Sequence, residues 1–207
     1  MSSTSSPYNL LRQHLPIIIL LIVALGLRLA TQAGWLTGWW SNVTPLIAVA
    51  FVGAALLPRG FGWLLLGAVI AIDIVVAKPG AFQYVGGYLA VYAVLAAAIV
   101  WASRLHASFR AGQIGGLGIL ARLLMVSVGF YFLTNTMAWA MSAGYAKTVS
   151  GWWQAQTVGL PGFPPSWTFL RNSLISDLGF GSLLVAAHRL SRSRAKAAGS
   201  LEHAPAS

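Results

Sequence analysis

The chain of 207 residues holds thirteen lysines and arginines but only three acidic residues. Two of those three, Asp73 and Asp177, stand inside apolar runs. Asp177 ends the stretch Phe169-Leu-Arg-Asn-Ser-Leu-Ile-Ser-Asp177, which sets one cation, one anion and three neutral polar groups at the head of a segment that stays apolar as far as Leu190. A charge at the centre of a bilayer costs roughly 2.5–3.5 kcal/mol on insertion scales, so such a residue faces protein or water rather than lipid. The chemistry on offer is ion pairing between helices, hydrogen bonding to an enclosed ligand, or acid and base work by two carboxylates brought together.

Arg28 and Arg171 are the cations in this layer, so two acids and two bases sum to zero, as expected if they neutralise one another across helices. A structural network locking the bundle is one reading of Arg28, Asp73, Arg171 and Asp177. For Arg171 the helix dipole argues otherwise, because a cation in the first turns of a helix is unfavourable unless an outside anion compensates it. Arg171 and Asp177 are six residues apart and do not share a face, whereas Ser173 and Asp177, at i and i+4, do. For Thr134-Asn135-Thr136 both interhelical hydrogen bonding and ligand contact stay open.

Enzyme signatures are absent: no nucleophile with a paired base, no H-E-x-x-H, no Walker A sequence, no Gly-x-Ser-x-Gly elbow. The expectation is therefore a protein without catalytic residues. There are no cysteines, and His14, His106, His188 and His203 fall away from the polar layer, so no metal site and no cofactor are expected. With no nucleotide site of its own, any transport is passive, ion-coupled or driven by other subunits.

These groups need membrane-spanning elements to place them. Hydrophobic residues make up 57% of the chain and charged residues 8%, with a mean hydropathy of +0.75. That is too little polar surface to cover a soluble globule. The net charge of +10 belongs to helix ends meeting anionic head groups, and no hydrophilic surface interleaves aromatic and basic residues, so nucleic acid is not an expected partner. The reading is an all-α integral membrane protein of six transmembrane helices. Residues 1–14 form a cytoplasmic N-terminal tail, 15–190 the transmembrane domain and 191–207 a disordered cytoplasmic tail.

The first span covers residues 15–33, with Arg28 inside its far end arguing against cleavage as a signal peptide. Trp35, Trp39 and Trp40 suit an interfacial belt. Ser41-Asn42-Val43-Thr44-Pro45 starts a second span that ends early at Pro58-Arg59-Gly60, and Ala50 and Ala54 have small-xxx-small spacing. The third span covers 61–77 and holds Asp73; the fourth covers 84–101. A basic loop over 103–116 leads to the fifth span at 117–141. Tyr145, Trp152, Trp153 and the prolines at 161–165 indicate a short interfacial helix and a turn before the sixth span at 167–190.

Nine of the basic residues (Arg12, Arg59, Arg104, Arg110, Arg122, Arg189, Arg192, Arg194, Lys196) lie on the N-terminal side of these spans and four (Arg28, Lys78, Lys147, Arg171) on the other. The asymmetry places both termini in the cytoplasm. The polar layer then lies in the outer half: Asp177 about 15 Å and Arg171 about 6 Å into their helix by helical rise.

Several pieces resemble the DUF6580 family of small bacterial membrane proteins. They are Ser41-Asn42-Val43-Thr44-Pro45, Asp73 near a helix end, Phe130 to Trp139 with Thr134-Asn135, Gly144-Tyr145-Ala146-Lys147-Thr148, and the stretch from Phe169 to Asp177. The family is similar to the six-helix S-components of energy-coupling-factor vitamin transporters and to solitary cobalamin transporters. The resemblance implies an S-component-like bundle in the bacterial inner membrane with a ligand cavity opening outward. Residues 17–23 offer only Ile, Leu and Val where S-components carry Ala-x-x-x-Ala, which argues against docking to an energising ATPase module and for a solitary protein. Relatives ligate cobalt through a cysteine that this chain lacks, so cobalamin fits only without a protein axial ligand.

The expected function is binding a small vitamin-type molecule from the periplasmic side and carrying it across. Arg171 would contact an anionic group; Asn42, Thr44, Asn135, Tyr145 and Asn172 would complete the substrate site; Asp73 and Asp177 would hold Arg28 and Arg171. The alternative is a structural or assembly subunit of a membrane complex with no ligand of its own.

Overall fold

A computed structural model describes residues 7–36, 43–58, 60–76 and 85–202, with side chains over 15–36, 43–58, 60–76, 87–109 and 111–193. The described residues form seven helices and no strand: α1 (Pro7–Gln32), α2 (Leu46–Leu56), α3 (Phe61–Val75), α4 (Val85–Arg110), α5 (Gly116–Met141), α6 (Val149–Gln156) and α7 (Ser166–Glu202).

The core is built around α2, whose residues from Ile47 to Leu56 are all buried. A helix apolar on every side has to be enclosed on every side, and α2 packs against α1, α3, α4, α5 and α7. Its eleven residues span only about 17 Å, half the bilayer hydrocarbon of about 30 Å. Proline sets both ends. Pro45 occupies the N-cap position, and Leu57, restricted by the proline that follows it, leaves the helix with ψ 164°. Ala50 and Ala54 are both buried here.

Three segments, Leu15–Gln32, Gly87–Phe109 and Gly116–Met141, are long and apolar enough to cross a membrane, and α2 and α3 are shorter apolar helices. Large apolar side chains face outward on several of them, including Ile22, Leu64, Leu89 and Leu117. Apolar surface on that scale marks a membrane protein.

Three boundaries differ from those read off the sequence. α1 starts at Pro7, ahead of residue 15, because proline is tolerated in the first turn, where its missing N–H has no partner to lose. α4 continues through the basic residues to Arg110, since nothing before Gly112 breaks a helix; Gly112, with φ 77°, makes the turn. α7 runs past Leu190 to Glu202, as Arg, Lys, Ala and Leu are good helix formers in any solvent.

Candidate functional site

A cavity of about 1030 Å³ lies at one end of the bundle, bounded by the start of α2, the first turns of α4, the second half of α5, the head of α7 and the segment 142–165. Helical spacing selects the lining. On α7 it is Ser166, Phe169, Ser173 and Asp177, and on α5 it centres on Ser127, Phe130, Thr134 and Ala138, with Asn135, Met137 and Met141 beside them. Both sets recur every three or four residues and form a single face. Thr44, Leu46 and Ile47 supply the side given by α2.

Asp177 is 1% exposed and is held by neutral donors. Its Oδ1 accepts the Ala48 N–H at 3.0 Å, and its Oδ2 accepts the Ser127 hydroxyl at 2.8 Å. Ala48 stands three residues after Pro45, and Pro45 makes no side-chain cap. The carboxylate of α7 therefore does for α2 what a local Ser or Asp does at an ordinary N-cap, and it meets the positive end of the helix dipole. Asp177 thus holds the start of α2.

Asp73 is saturated. Arg28 donates to it twice, Nε to Oδ1 at 2.9 Å and Nη2 to Oδ2 at 2.7 Å. Gln32 Nε2 adds a bond to Oδ1 at 2.8 Å and the Tyr92 hydroxyl one to Oδ2 at 2.9 Å. Four donors on one buried carboxylate tie α1, α3 and α4 together, and the bidentate guanidinium cancels its charge. Arg28 also lines the cavity.

The polar residues of α5 divide their work. Thr134 donates to the Phe130 and Tyr131 carbonyls and Asn135 Nδ2 to that of Tyr131, so both bond within their own helix while lining the cavity. Thr136 faces α6, where its hydroxyl oxygen accepts from Trp152 Nε1 at 2.9 Å and Gln156 Nε2 at 3.1 Å.

The segment 142–165 is built to stay in place over the cavity. Trp139 Nε1 donates to the Ala146 carbonyl at 2.8 Å, and the Lys147 ammonium bonds the Trp139 and Ser142 carbonyls at the end of α5. A cation there complements the negative end of the helix. Thr148 caps α6 by accepting from the Gly151 amide. A β-carbon on Gly151 would fall 2.0 Å from the Ala146 carbonyl oxygen, so only glycine allows this approach. Tyr145, Leu160 and Phe163 from the segment line the cavity.

Of the residues expected at a substrate site, the cavity takes Thr44, Asn135 and Tyr145, with Arg28 and Asp177 beside them. Arg171 and Asn172 lie off the lining face, two residues and one residue before Ser173, or about 200° and 100° round the helix. Arg171 Nε donates to Asn172 Oδ1 at 3.2 Å, and its guanidinium stands 5.1 Å from the centre of the Trp167 ring. Asn172 is buried. Asn42 lies outside the described residues, as do Trp39, Trp40 and Lys78.

Gln32, Tyr92 and Ser127 were not singled out in the sequence. Gln32 stands one turn after Arg28, and Ser127 two turns before Thr134, so both are on faces already carrying polar groups. Tyr92 gave no such signal.

Residues 9–198 match a family described as "Family of unknown function (DUF6580)". The chain belongs to this family. The DUF6580 match takes in the cavity lining, the Asp73 cluster and the segment over the cavity. Comparison with curated proteins and with solved structures gave no match.

Proposed function

We propose that this DUF6580 protein is a solitary membrane-embedded binding protein that takes a small vitamin-type molecule from the periplasmic side and carries it across the bacterial inner membrane. The observation that carries the reading is the cavity itself. At about 1030 Å³ it is at the upper end of ligand-pocket sizes, and its lining is mostly apolar with a few placed polar groups, the pattern of a small-molecule site. In this reading α1, α2, α3, α4, α5 and α7 are the six crossings of an S-component-like bundle, both termini are cytoplasmic, and the cavity opens outward under segment 142–165.

The half-length α2 supports a transport role. Its start lines the cavity through Thr44, Leu46 and Ile47, and helix starts recur at transporter substrate sites. Thr44, Asn135 and Tyr145 are the hydrogen-bonding contacts in this proposal. Arg28, neutralised by Asp73, supplies donors without net charge. A cobalamin-related compound is one candidate ligand.

The test is a thermal-unfolding screen of the purified protein against cobalamin, cobinamide, thiamine, biotin, riboflavin and folate compounds. A ligand at 100 times its dissociation constant adds about 2.7 kcal/mol of stability. Absence of any shift across the panel would sink the vitamin reading. The four-donor lock on Asp73 favours the second reading, a structural subunit whose polar layer only fixes its own helices. Asn135→Leu separates the two: it abolishes ligand stabilisation if the cavity is a binding site and changes only stability if it is not.

A further inference from the structure

The charged residues of the described cavity lining are Arg28 and Asp177, and only one of them is answered by an opposite charge. Arg28 gives two bonds to Asp73, so that pair sums to zero. Asp177 is met by neutral donors: the Ala48 N–H, the Ser127 hydroxyl and the Ile47 N–H. The start of α2 carries roughly half a positive charge, which offsets only part of the carboxylate. The described lining is left with net negative charge where Asp177 reaches it.

The surroundings of Asp177 follow from one contact. Segment 142–165 joins the end of α5 to the start of α7, and the two helices pack together. Residues after Ser127 and residues before Asp177 therefore climb in the same direction, toward the segment. The 2.8 Å bond between Ser127 and Asp177 sets the level. The next lining residues above it are Phe130 on α5 and Ser173 on α7, each about 5–6 Å along its helix. Phe169, Tyr88, Tyr145 and Phe163 add further rings to the lining. Aromatic faces carry negative charge and attract cations.

A carboxylate has about four lone-pair sites, so one remains after its three protein donors. Asp177 is 1% exposed, and a charge that reaches it leaves bulk water, where attraction is stronger than at a surface. We infer that the ligand of this cavity is an organic cation: an apolar or aromatic molecule whose protonated amine meets the Asp177 carboxylate beside Ser173 and Phe130. The inference rests on the reading of the cavity as a small-molecule site and narrows its substrate class. An anionic ligand would set its charge against Asp177, and the cation of the described lining is already spent on Asp73.

The experiment measures binding of three probes built on one indole ring to the full-length protein in mixed micelles. They are tryptamine, a cation at neutral pH, its uncharged analogue tryptophol, and the anion indole-3-propionate. Tryptamine should bind at least about tenfold tighter than tryptophol, the margin between charge-assisted and neutral hydrogen bonds, and indole-3-propionate should bind weakest. Asp177→Asn should bring the tryptamine-to-tryptophol ratio close to one. Phe130→Leu keeps apolar bulk without the ring and should lower the ratio about threefold; it decides the matter if Asp177→Asn does not fold. Equal binding of tryptamine and tryptophol, preference for the anion, or a ratio unmoved by the variants would overturn the cation assignment. Stabilisation by a neutral or anionic vitamin with tryptamine silent would also overturn it, while leaving the cavity a binding site. Silence of vitamins and probes alike would sink both readings.

Discussion

The Asp177 carboxylate and the Ala48 amide, 129 residues apart in sequence, meet in a 3.0 Å hydrogen bond that caps a buried helix from outside its own segment. Asp177→Leu leaves the Ala48 N–H and the Ser127 hydroxyl buried without an acceptor, and each orphaned group costs about 1–3 kcal/mol. The expected result is a loss of roughly 2–6 kcal/mol in reversible unfolding from mixed micelles. Asp177→Asn keeps an acceptor for Ala48 and should lose less than half as much. Equal losses in the two variants would show that the cap is not the source of the effect.

Asp73 and Arg28 form a buried pair, so removing one partner strands the other charge. Arg28→Met and Asp73→Leu should each destabilise by about 3–5 kcal/mol, and the double substitution by distinctly less than their sum. A double-mutant cycle in detergent measures the difference directly. An additive result would mean that the bidentate bond contributes nothing beyond packing.

Gly151→Ala places a methyl group where the Ala146 carbonyl oxygen sits, so segment 142–165 has to lift from α5. Lys147 then leaves its carbonyl partners and becomes a protease site. Limited trypsin digestion should cut after Lys147 at least about tenfold faster than in the wild type, the ratio that follows from 1.4 kcal/mol of lost closure. Unchanged cleavage would contradict the close approach.

Thr136→Val removes the oxygen that accepts from both Trp152 and Gln156 while preserving shape. The expected cost is about 1–3 kcal/mol. Trp152 fluorescence, isolated in a background with the other tryptophans replaced, should shift to longer wavelength as its indole gains water. A spectrum unchanged from that background would argue that α6 is held by packing alone.

What the sequence revealed depended on how local the cause was. The early end of α2 was legible because Pro58 restricts the residue before it, and the short helix after Thr148 because polar and aromatic residues replace an apolar run. Charge counting pointed to pairing across helices among Arg28, Asp73, Arg171 and Asp177, since so few acids are available, but not to which acid meets which base. The role of Asp177 was not legible: its partner amide belongs to backbone 129 positions away, and backbone amides carry no residue-type signal. Arg171 was placed by depth, but depth fixes height in a helix and not rotation. Which face of α7 turns inward depends on how its neighbours pack, and that packing puts Ser173 and Asp177 on the cavity instead.

Segment 142–165 is joined to α5 at one end and to α7 at the other, and those two helices are also walls of the space it covers. It therefore acts as a strap of fixed length between the two walls. The Thr136 and Lys147 bonds all fasten it to the α5 wall, so the cover is carried by α5.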